Sequence, residues 1–139
     1  MVKLIVGHKG SGKTKKMINL ANSSLETANG SIVFINKNQR LMYDLKYRIR
    51  VVCMEDYPYI TNVDEYIGFL YGIISQDHDI EIIFIDSVLY HADINIANAD
   101  DFLDRLAIIS STYNIDFVVS LSADREDLGE CLSKYEVLN

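Results

Sequence analysis

Residues Gly7-His8-Lys9-Gly10-Ser11-Gly12-Lys13-Thr14 match the pattern G-x-x-x-x-G-K-[ST] at every fixed position. The chemistry open to such an octet is the holding of a polyphosphate. Gly7, Gly10 and Gly12 permit backbone conformations closed to residues with a Cβ, so peptide N–H groups can crowd against phosphate oxygens. Lys13 supplies a point charge for β- and γ-phosphates, and the Thr14 hydroxyl a ligand for Mg²⁺, a cation that keeps several waters and takes few protein ligands. His8, Lys9 and Ser11 occupy the variable positions and count with the rest as the expected nucleotide-binding segment; no side-chain chemistry is assigned to His8. Lys9, Lys15 and Lys16 add charge around the octet. Lysines in a helix's first turn oppose its dipole unless an anion compensates, although a solvated face accounts for Lys15 and Lys16 equally well.

A Mg-polyphosphate site needs a second, acidic anchor, and Ile82-Ile83-Phe84-Ile85-Asp86 offers one: four apolar residues of a buried strand, then a carboxylate at its end. In a parallel sheet that end opens into the crevice where ligands bind. Thr14 and Asp86 are therefore the expected metal residues.

These groups must be positioned by alternating elements. Apolar or β-branched runs at Val2–Val6, Ser31–Ile35, Arg50–Met54, Ile80–Ile85, Ile115–Ser120 and Tyr135–Leu138 predict strands. Helical patterns fill the gaps: Gly12 to about Ser24 with Gly30 closing the connection, Arg40–Tyr47, a segment capped by Asn62 with Glu65 as capping-box partner, one that follows Asn98 similarly, and Arg125–Leu132. Such alternation predicts an α/β three-layer sandwich on a mostly parallel sheet of five to six strands, and the absence of linkers, repeats or low complexity predicts one nucleotide-binding domain over 1–139.

The net charge of −7 disfavours adhesion to nucleic acid or anionic membrane, but it is a sum of unlike halves. Residues 1–50 hold ten Lys/Arg against Glu26 and Asp44, a balance of +8, whereas residues 51–139 carry −15. The phosphate-holding octet thus lies in the basic part and Asp86 in the acidic part. Cys53 and Cys131 are too few for a disulfide framework and, with His8, His78 and His91, show no zinc spacing. With no signal-peptide core and no apolar stretch of about 20 residues, a soluble cytoplasmic protein is expected.

With the loop and the acidic strand end in that order, the chain resembles P-loop NTPases, Gly7–Thr14 standing as Walker A and Ile82–Asp86 as Walker B. At least one further strand and helix between them, and a later strand ending Val118-Val119-Ser120, make it most similar to the RecA-like branch; its overall order also resembles thymidine kinases, whose zinc-binding cysteines and substrate loop it lacks. The resemblance implies ATP and Mg²⁺ as cofactors and places Ser120 or Ser122 at a polar sensor position facing the γ-phosphate. It also implies a catalytic base. Many members carry a Glu directly after the Walker B Asp, where this chain has Ser87; RecA-like enzymes can hold the base on another strand, where Glu55 or Asp56 stands. Arg125 could reach a γ-phosphate in cis or pair with Asp124, Glu126 or Asp127. His91 and Asp93 lie in the long segment Ser87–Asn98, facing the site or decorating a loop.

Guanine-reading motifs are absent, since Asn36-Lys37-Asn38-Gln39 has Gln39 where Asp is required and Asp86-Ser87-Val88-Leu89 is not D-x-x-G. The expected function is therefore a small Mg-dependent ATPase with Lys13, Asp86, Glu55, Ser120 and Arg125 as candidate catalytic groups. The alternatives are a non-hydrolysing nucleotide switch read by a protein partner, which Ser87 would allow, and a small nucleoside or metabolite kinase, for which the chain leaves little acceptor lid. The basic residues Lys37, Arg40, Lys46, Arg48 and Arg50 could meet the acidic C-terminal surface of another copy head to tail.

Overall fold

A computed structural model describes residues 1–40, 42–89 and 91–139. Six strands, β1 (Val2–Gly7), β2 (Ser31–Asn36), β3 (Arg50–Cys53), β4 (Ile80–Ile85), β5 (Asp116–Ser122) and β6 (Glu136–Val137), form one sheet in the order β3-β2-β4-β5-β1-β6, and every pairing is parallel. The helices are α1 (Lys13–Ser24), α2 (Val63–Gln76), α3 (Ala99–Tyr113) and the single turn α4 (Arg125–Leu128).

Alternation along each strand assigns the two faces. Ile5, Ile32, Phe34, Phe84 and Val118 pack under Met17, Ile18 and Ala21 of α1, with the Phe34 and Phe84 rings stacked at 5.9 Å between centroids. Val6, Val33, Ile35, Ile83, Ile85, Phe117 and Val119 face the other way, onto Leu70 and Ile74 of α2 and Phe102 and Leu106 of α3. Each such aromatic or branched side chain, fully withdrawn from water, contributes about 1.5–3 kcal/mol, so the central strands are the rigid part of the molecule. The connection from α1 closes at Gly30, where a Cβ would collide with the Asp79 carbonyl oxygen that accepts the Ser31 N–H at 2.8 Å. The α2 start is as expected: Asn62 Oδ1 accepts the Glu65 N–H at 2.9 Å, while the Glu65 carboxylate turns back to Thr61.

Other expectations need correction. Arg40–Tyr47 is not an α-helix; leaving aside position 41, which lies outside the described residues, it holds one 3-10 turn, Met42–Asp44. The Asn22 amide takes over its backbone groups, donating to Asp44 O and accepting from Lys46 N, both at 2.9 Å. Arg125–Leu132 is likewise divided, because Gly129 at φ +51° ends α4 and a 3-10 stretch follows to Lys134. Asn98 precedes α3 without capping it through its side chain, which instead serves Asn95 N and Asp93 O within the preceding loop. Cys53 and Cys131 are free and buried. Among the described residues no helix is long and apolar enough to cross a membrane.

Candidate functional site

The octet joins β1 to α1 at the carboxyl edge of the sheet. Gly10 and Gly12 adopt φ of +84° and +86°, the left-handed region that disfavours a Cβ, and the loop closes with Ser11 N–H donating to His8 O at 3.1 Å. Gly12 is the N-cap of α1, which has neither a side-chain cap nor an acidic residue in its first turn, so the positive end of the helix dipole is left for an outside anion.

Lys13 folds back over this loop. Its Nζ donates to His8 O at 2.6 Å and to Ser11 Oγ at 3.4 Å, and the residue is buried. Desolvation holds the ammonium below the usual lysine pKa, with the Asp86 charge pulling it up in part. A carbonyl accepting from a buried ammonium is a partner that a phosphate oxygen can displace.

Asp86 follows the last residue of β4 and is 3% exposed. Its main-chain N–H donates to Ile35 O at 2.9 Å, and its carboxylate accepts hydrogen bonds on both oxygens: from Thr14 Oγ1 at 2.8 Å and from Ser120 Oγ at 2.6 Å. Strand β5 makes this possible by lying between β1 and β4, so residues from α1, β4 and β5 converge on one carboxylate. Lys13 and Thr14 of the octet, Asp86 and Ser120 are thus brought together.

The remaining candidates lie elsewhere. Glu55 is exposed on a 3-10 turn after the edge strand β3, and β2 separates β3 from β4. Two strand spacings, about 10 Å, therefore lie between that turn and the Asp86 strand. Arg125 is bonded through its guanidinium to Asn139 O at 2.8 Å rather than to Asp124, Glu126 or Asp127. His8 Nδ1 meets Asp124 Oδ1 at 2.9 Å on the surface. His91 packs edge-on to Tyr66 at 6.0 Å, and burial with the Lys37 charge keeps its pKa low.

Two features escaped sequence reasoning. Asn36, buried at the end of β2, is the next-strand neighbour of Asp86, and its amide serves Lys37 N and Arg40 O. Its signal was the one that marked Asp86, a polar residue closing a buried apolar run. Ser87 takes φ +58°, and its N–H donates to Ser120 Oγ at 2.8 Å, which no local pattern encodes. Beside the octet, a cleft of about 360 Å³ runs from Gly12 along α1, lined by Lys15, Lys16, Asn19, Leu20 and Ser23.

No protein-family model matches the chain, and no curated protein matches its sequence. Solved structures do match. A KaiC-like protein of the hyperthermophilic archaeon Pyrococcus horikoshii superimposes with a TM-score of 0.61 at 16% identity, over 88% of this chain and 61% of its own length. The flagellar accessory protein FlaH of Methanocaldococcus jannaschii gives a TM-score of 0.60 at 9% identity, over 96% of this chain and 67% of its own. The chain therefore spans roughly two-thirds of the structures it resembles, and the likeness is one of fold: a RecA-like P-loop NTPase fold on an all-parallel sheet.

Proposed function

We propose that this chain, built on that fold, binds ATP with Mg²⁺ and hydrolyses it slowly unless a partner completes the site. The observation that carries the reading is the Thr14–Asp86 pair, a hydroxyl 2.8 Å from a buried carboxylate at the open end of an uncapped helix. Such a donor set suits Mg²⁺, a hard cation that takes oxygen ligands, with Thr14 and Asp86 the residues that would hold it. Mg²⁺ held there would supply positive charge to offset the negative charge of the triphosphate. Lys13 exchanges His8 O for phosphate, and the octet's N–H groups and the α1 dipole hold the rest of the chain of phosphates.

The slow hydrolysis follows from the neighbours of Asp86. Ser87 follows it in sequence, Asn36 flanks it in the sheet, and neither can take a proton from water near neutral pH, while Glu55 stands two strands away. These positions favour as second reading a switch that binds ATP without cleaving it. Basic residues Lys37, Arg40, Lys46, Arg48 and Arg50, exposed along the β3 edge, make no ion pair among the described residues, and the acids of residues 124–136 lie toward the β6 edge. A second copy docking head to tail would match these charges and bring an arginine in trans.

Thermal unfolding with Mg-ATP, Mg-GTP, and ATP with EDTA tests the binding, since a ligand of the folded state stabilises it by RT ln(1 + [L]/Kd). Mg-ATP is expected to raise Tm and EDTA to abolish most of the rise; no shift with any nucleotide overturns the proposal. Phosphate release that climbs steeply with protein concentration supports completion by a second copy, release proportional to concentration removes the need for a partner, and none at all leaves the switch.

A further inference from the structure

We infer that Ser120 positions the metal-binding acid rather than sensing phosphate, and that Ser122 is the β5 hydroxyl free to meet the nucleotide. The inference rests on the Mg-nucleotide reading above. A serine hydroxyl has one proton to give. That of Ser120 goes to Asp86 Oδ1 at 2.6 Å, and Ser120 Oγ itself accepts the Ser87 N–H at 2.8 Å. Ser120 is wholly buried. A phosphate oxygen, which only accepts, would find no donor there.

What Ser120 holds is the carboxylate itself. Thr14 donates to one oxygen and Ser120 to the other, so the plane of the Asp86 side chain is pinned from α1 on one side and β5 on the other. The second bond reaches further. Ser87 turns the chain out of the sheet through a left-handed φ of +58°, and its N–H is anchored on Ser120. One hydroxyl therefore fixes the direction of the acid and the turn that follows it.

Ser122 is differently placed. It lies two residues on along β5, on the same face, in register with Gly7 at the start of the octet. It is half-buried, and among the described residues its hydroxyl bonds no protein group.

Nucleotide affinities of the parent, Ser120→Ala, Ser120→Thr and Ser122→Ala, each measured for ATP and ADP with Mg²⁺ and with EDTA, separate the roles. Ser120→Ala is expected to lower the affinity gained from Mg²⁺ about tenfold for both nucleotides, with metal-free affinity and the ATP/ADP ratio unchanged, and Ser120→Thr to restore it. Ser122→Ala is expected to cut the ATP/ADP ratio about tenfold and to leave the Mg²⁺ gain intact. A Ser120→Ala variant that loses ATP/ADP discrimination while keeping the Mg²⁺ gain overturns the inference, as does a silent Ser122→Ala. Should Ser120→Ala fail to fold, Ser122→Ala still decides, because a Ser122 without effect on the ratio returns the sensing role to Ser120. A parent that binds no Mg-nucleotide overturns the functional reading and this inference together, whereas the outcomes above leave that reading standing.

Discussion

Replacing Lys13 by methionine is expected to stabilise the empty protein and to remove most of its response to ATP. The Lys13 ammonium is buried, its near contacts are a carbonyl and a hydroxyl rather than a carboxylate, and desolvation holds its pKa below 10.5. The unfolded chain therefore holds the proton more tightly, so charged Lys13 costs stability at neutral pH, a cost relieved as pH rises from the folded-state value towards 10.5. Deleting a desolvated charge recovers several kcal/mol, less about 1.5–3 kcal/mol for the charge-assisted bond to His8 and the attraction of Asp86 together, for a net gain of about 1 kcal/mol. At about 2.1 cal/mol/K of unfolding entropy per residue, that is ~3 °C in Tm for a chain of this length. ATP at a hundred times Kd stabilises the parent by about 2.7 kcal/mol, or ~9 °C. Losing a lysine–phosphate bond of about 2–3 kcal/mol weakens Kd by about 30- to 150-fold and shrinks the ligand shift to ~1 kcal/mol or less. Differential scanning fluorimetry with and without Mg-ATP reads both quantities. A variant that melts below the parent when empty and keeps the full ATP shift refutes the reasoning on both counts.

His91 should make stability fall on acidification: burial, then the Lys37 charge, hold its pKa below 6.5, so the unfolded state gains the proton first and stability is lost as pH drops from 6.5 through the folded-state value. Tm followed down from about pH 7.5 is expected to fall less steeply in His91→Phe than in the parent. Gly30→Ala puts a Cβ onto the Asp79 carbonyl oxygen where β2 and β4 begin, and is expected to cost ~3 kcal/mol or more in denaturant unfolding, since two packed backbones must part.

The octet was legible because its chemistry dictates residue types: left-handed φ at Gly10 and Gly12 rules out most side chains, and the charge of Lys13 has no apolar substitute. Asp86 was legible as the one acid closing a run of buried strand residues. What stayed hidden is long-range. Ser120 and Ser87 are 33 residues apart and meet only because β5 lies beside β4, and nothing local distinguishes Ser120 from Ser122. Asn36 was overlooked for the same reason: until the strand order is known, a neighbour of β4 cannot be told from a distant strand, so Glu55 on β3's turn looked equally close. The false helix at Arg40–Tyr47 shows local propensity yielding to a tertiary bond, since Asn22 on α1 satisfies two of its backbone groups.

The sheet order also sets a timetable for folding. Strand β1 leads the chain, yet its two partners are β5 and β6, more than a hundred residues downstream. Strands β2, β3 and β4 can pair among themselves much earlier. Closing β1 against β5 and β6 is the most non-local step, and loop entropy makes such steps slow. Strand β1, first of the six in sequence, is thus seated late, with β6 able to join only beside it, and the loop at its tip, with Thr14 brought against Asp86, takes shape only once β4 and β5 are in place. Under the proposed ATP binding, that affinity would arise in one late step, and ATP present at that moment would trap the pairing of β1.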